Sequence, residues 1–75
     1  MDTPIDKLKR GETVRRLITY LGVRVWEQFQ PNKDYPGTFD RYYLPSNRDK
    51  SQAVQQNYAL ELSEVEKILS KSNTE

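Results

Sequence analysis

Between positions 17 and 25 apolar side chains recur at every second residue apart from Thr19, and β-branched and aromatic residues continue to 29, where a polar stretch crowded with turn formers interrupts before the pattern resumes at 38. Such residues favour a pleated strand, whose successive side chains take opposite faces, so 23–29 and 38–44 read as two strands. The interruption, Pro31-Asn32-Lys33-Asp34-Tyr35-Pro36-Gly37, joins residues that favour turns for separate reasons. Gly reaches positive φ, Pro fixes φ, and Asn and Asp bond their own backbone. An antiparallel hairpin follows, with a connection longer than the roughly two to five residues of tight ones.

The flanks are less uniform. Thr3-Pro4-Ile5-Asp6 is a competent helix start, with Thr as N-cap and Pro at the first helical position. Gly11 would close that helix after two turns. The stretch 13–29 supports two readings up to Gly22. Val14, Leu17, Ile18, Leu21 and Val25 fall at helical spacing; Leu17, Thr19, Leu21, Val23 and Val25 fall at strand spacing. Toward the end, Val54, Tyr58, Leu62, Val65 and Leu69 fit one helix face, whereas Tyr58, Leu60 and Leu62 alternate as a strand. Ser63-Glu64-Val65-Glu66 has the pattern of a capping box. The adopted reading is a strand over 57–62 and then a helix over 64–71. Residues 1–3 and 72–75 are expected to fray.

The resulting fold class is α+β: one domain over 1–75, a small antiparallel sheet on 23–29 and 38–44 extended by 57–62, and short helices at both ends. An SH3-like β-barrel is the alternative. It differs mainly in making 13–19 a strand.

Composition narrows the setting. A chain of 75 residues buries only about 60% of the surface its unfolded form exposes, so its core is thin. Eight aromatic residues between positions 20 and 58 argue against disorder, because rings supply the most burial per side chain. With no cysteine there is no disulfide framework and no thiolate site. A small domain without such staples is expected inside cells, in the cytoplasm. No apolar run nears the roughly 18–20 residues that span a bilayer, so membrane insertion is not expected.

Catalysis by the common routes is largely closed, leaving only carboxylates such as Glu27, Asp34 and Asp40 near the hairpin, whose tuning needs a dry cleft that a domain this thin rarely has. With neither His nor Cys, the usual general base and the best nucleophile are missing. Gly11, Gly22 and Gly37 stand alone, so no phosphate-binding loop is present. No calcium-loop pattern appears, and neither a metal nor a cofactor is expected. The expectation is a protein that is not an enzyme.

Charge and rings point instead to binding. Net charge is only +1, yet Lys7, Lys9, Arg10, Arg15, Arg16 and Arg24 face Glu12 alone within 7–24. Trp26, Phe29, Phe39, Tyr42 and Tyr43 fall on the two hairpin strands, and adjacent Tyr42 and Tyr43 must point to opposite faces. Arg24, Arg41 and Arg48 lie near enough in sequence to border an aromatic platform. The candidate contacts are Arg15, Arg16 and Arg24 as the basic set and Trp26, Tyr42 and Tyr43 as the aromatic set. Interfaces favour Tyr, Trp and Arg, so the leading expectation is a non-catalytic protein-interaction module or accessory subunit of a larger complex. Nucleic-acid binding through the basic N-terminal half is the alternative. A homodimer sealing its own apolar faces is a third arrangement the thin core allows.

Two stretches also resemble a known family. Arg10-Gly11-Glu12-Thr13-Val14-Arg15, and Asn57-Tyr58-Ala59-Leu60 followed by Glu64-Val65-Glu66, look like the first and last strands of the photosystem I reaction-centre subunit IV family. Leu21-Gly22-Val23, Tyr35-Pro36 and Phe39-Asp40 fall between them at similar intervals. The resemblance implies an SH3-like barrel on the stromal or cytoplasmic side of photosystem I, acting as a basic docking module for ferredoxin. The chain departs from that pattern where apolar 17–21 replaces a long loop and its aromatic cluster, and where extra residues precede Glu64. No family residue is carried over.

Overall fold

A computed structural model, which describes residues 3–47 and 50–71, shows a four-stranded antiparallel sheet between two helices in the chain. The elements are α1 (Pro4–Lys9), β1 (Val14–Tyr20), β2 (Val23–Pro31), β3 (Thr38–Pro45), a 3-10 turn (Lys50–Gln52), β4 (Val54–Glu61) and α2 (Leu62–Ser70). Strands neighbour one another in chain order, which leaves β1 and β4 as open edges. The fold is therefore the α+β arrangement and not a closed barrel.

Helix α1 begins as its sequence dictates. Thr3 Oγ1 accepts from the Asp6 amide at 3.1 Å, and the Thr3 amide donates to Asp6 Oδ2 at 3.3 Å, a reciprocal capping box. Its end is a Schellman motif: Gly11, at φ +85°, donates to Leu8 O, and Glu12 donates to Lys7 O. Thr3 is thereby tied down; residues 1–2 and 72–75 lie outside the described ones.

Residues 14–20 are strand, which corrects the three-strand sheet expected. Leu21 and Gly22 connect β1 to β2 as a two-residue turn, with φ of +51° and +77°. Two positive φ values are the mark of a type I′ turn, whose twist matches that of its strands. The β2–β3 hairpin forms as expected. Asn32 Oδ1 accepts from the Asp34 and Tyr35 amides at 2.7 and 3.0 Å, and the Asn32 amide donates to Thr38 O.

The C-terminal part needs two corrections. β4 starts at Val54, earlier than 57, and its register against β3 shifts twice. Ala59 lies in the first of these irregularities at φ +54°, and its amide donates to Asp40 Oδ1 at 3.1 Å. α2 follows without a break from Glu61, which makes no side-chain cap, so Ser63 is not the N-cap. Leu62 packs against the core. The earlier start sets this partly buried side chain against the core, a gain that a cap at Ser63 would forgo.

Cross-strand partners in an antiparallel sheet share a face. Val14, Phe29 and Phe39 therefore lie together, and they close a core with Leu8 of α1 and Val65 of α2. Both helices thus pack on one face of the sheet. We call it the helix-side face and its reverse the outer face.

Candidate functional site

The helix-side face is divided into three zones. Under the helices lies the apolar core. Next comes a charged row: Glu27, 0% exposed, accepts from Arg16 Nε through Oε1 at 2.6 Å and from Arg41 Nε through Oε2 at 2.8 Å. Arg16 also donates to Ile68 O at 2.9 Å, at the C-terminal end of α2, where a cation is favoured. Arg41 donates further to Asn57 Oδ1 and to the Tyr43 hydroxyl, and its guanidinium lies 4.9 Å from the Tyr43 ring centre.

Beyond this row the face turns apolar again, and among the described residues neither α1 nor α2 contributes to its lining. Tyr20, Val25, Tyr43, Leu44, Pro45, Gln52, Val54 and Gln56 border a hollow of about 350 Å³, with no charged side chain in its lining. Tyr20 and Tyr43 pack edge to face with centres 4.8 Å apart. Burial holds the Tyr43 hydroxyl proton more tightly than usual, against the opposing pull of Arg41. Around the rim, Tyr20, Val23 and Val54 are exposed, and Leu21 at the tip of the turn is 78% exposed.

Leu21 violates two local preferences at once. A left-handed residue without glycine's freedom costs roughly 1–2 kcal/mol, and type I′ turns favour Asn, Asp or Gly. A large apolar side chain held in water gains nothing in return. Conformations of this kind cluster at functional sites.

The six candidate contacts, basic and aromatic, are divided between faces. Arg15, Arg24, Trp26 and Tyr42 share the outer face; Arg16 and Tyr43 lie on the helix-side face. Arg16 is thus a structural tie rather than a surface contact. Arg41 is likewise drawn away from the platform imagined for it, and Arg48 lies outside the described residues. Tyr42 and Tyr43 do point to opposite faces, and both are half-buried. On the hairpin, Phe29 and Phe39 are interior, whereas Tyr35 at its tip is 55% exposed and packs edge to face with Tyr58.

Leu21, Val23 and Val54 were not singled out from the sequence. The signal that could have found them is Leu21-Gly22 between two strand-like runs, read as a hairpin tip with an unsuited first residue.

The buried carboxylates are already engaged in hydrogen bonds. Both oxygens of Glu27 are engaged, and Asp40, 7% exposed, accepts from Asn32 Nδ2 at 2.8 Å as well as from Ala59. Among the described residues no three carboxylates gather as a metal-binding group, and no helix is long and apolar enough to cross a membrane. In comparisons with known proteins, no family model, curated protein or solved structure matches the chain.

Proposed function

We propose that this chain is a non-catalytic protein-interaction module, an accessory subunit of a larger cytoplasmic assembly, docking through the uncovered apolar end of its helix-side face. Leu21 carries the reading: a strained, 78% exposed leucine beside an apolar hollow. Neither its conformation nor its exposure benefits the isolated chain; a partner that covers it recovers the burial. Tyr20 and Tyr43 supply aromatic area, and charge is depleted, as at the centres of protein interfaces.

Affinity capture from the native host in about 1 M salt, where the screening length falls to ~3 Å, separates apolar docking from charge attraction. Hydrogen exchange on the captured complex then locates the contact. The expected result is a partner retained in salt, released by Leu21→Asn, and protecting residues 20–25. A partner that binds Leu21→Asn as tightly as the original chain overturns the reading.

A further inference from the structure

We infer that the outer face of the sheet is a second binding surface, for a short single strand of nucleic acid. Register sets its layout. One level carries Arg15, Gln28 and Tyr42; the next carries Leu17, Trp26 and Leu44; the third carries Thr19 and Arg24. At about 3.3 Å per residue, the two arginine levels stand ~13 Å apart, with Trp26 midway between them.

Each guanidinium is tethered by one bond and otherwise open. Arg15 donates from Nε to Gln28 Oε1 at 2.7 Å, and Arg24 donates from Nη1 to Thr19 Oγ1 at 3.0 Å. Their remaining donors have no partner among the described residues, and both side chains are exposed. Such tethering holds the cations over the sheet in advance of binding. The outer-face carboxylates lie toward the hairpin tip: Asp40, one level beyond Arg15, is buried and accepts from Asn32 and Ala59, and Glu61 pairs with Thr38. Phosphate therefore meets a locally positive surface. Trp26, half-buried midway between two phosphate-binding cations, and Tyr42, half-buried on the Arg15 level, match unpaired bases, whose faces are open to stacking. A duplex hides those faces, and an acidic peptide offers nothing to stack.

Trp26 is the sole tryptophan, so its fluorescence reports directly on this face. The experiment titrates the full chain with a single-stranded oligothymidylate, its duplex with oligoadenylate, and polyglutamate. Quenching by the single strand is expected, with log K falling against log salt at a slope of about −1.4, from two phosphates at ~−0.7 each. Arg15→Gln with Arg24→Gln, which keeps polar side chains at both tethers, should weaken binding about tenfold and flatten that slope. Tyr42→Leu should weaken binding with the slope unchanged. Leu21→Asn should change nothing, since none of Arg15, Arg24, Trp26 and Tyr42 lines the hollow, so this inference and the docking proposal fail separately. The inference is overturned by an absence of quenching in low salt, by duplex or polyglutamate binding as tightly as the single strand, or by indifference to the double arginine change.

Discussion

Arg16 and Glu27 form an ion pair of 2.6 Å in which the carboxylate is wholly buried, and the same guanidinium holds the last turn of α2. Removing one member of a buried pair leaves an uncompensated charge, a loss of typically 3–5 kcal/mol. Glu27→Ala should therefore destabilise the fold by about 3 kcal/mol, toward the lower end because both arginines are partly exposed. Arg16→Ala should also cost more than Arg15→Ala, whose exposed side chain makes a single bond to Gln28 and should lie within about 0.5–1 kcal/mol. Urea unfolding of the three variants checks the order. Equal losses at positions 15 and 16 would contradict it.

Leu21 occupies a left-handed position that asparagine adopts readily. Leu21→Asn should accordingly raise stability by about 1 kcal/mol in thermal or urea unfolding, even as it weakens partner capture. Loss of stability on this change would show that Leu21 makes intramolecular contacts, and that its exposure is not what matters.

Asp40 Oδ1 accepts from both Asn32 and the left-handed Ala59, joining the hairpin loop to the irregular edge strand. Asp40→Asn keeps one acceptor oxygen in place and should cost less than about 1 kcal/mol. Asp40→Ala leaves a buried amide donor unpaired and should cost about 2–3 kcal/mol. Equilibrium unfolding distinguishes the two; equal losses would mean the charge, not the acceptor geometry, is required.

Burial raises the Tyr43 hydroxyl above its ordinary value of 10.0. The unfolded chain then releases this proton first, so the folded state holds more protons just above pH 10 and stability falls as pH rises. The contribution is complete below the unfolded value and is lost as pH passes the folded one. Tyr43→Phe removes this loss, so its stability should decline less steeply than that of the original chain above pH 10. Parallel declines in denaturant titrations across that window would refute the assignment.

Much of the fold was legible in the residues. The Thr3 cap, the Gly11 stop and the strands flanking 31–37 each rest on local chemistry that nothing in the packing opposes. The segment 14–20 was ambiguous for a definite reason. β1 buries Val14 and Ile18, four apart, while Arg16 between them pairs with Glu27. An ion pair inside the strand's apolar row thus imitates the period of a helix. The candidate contacts were legible by type but not by face: a strand's register decides which side a residue takes, and a slip of one reverses it. Only the pairing of Arg16 with Glu27 and of Tyr42 with Gln28 separates structural from surface groups.

The charged row formed by Arg16, Glu27 and Arg41 works as a bulkhead between the apolar floor beneath the helices and the uncovered hollow. Side chains at Tyr20, Leu21 or Val54 can therefore be exchanged without repacking Leu8, Phe29 or Val65. One small scaffold can in this way vary the exposed rim of one end while the core beneath its helices stays constant.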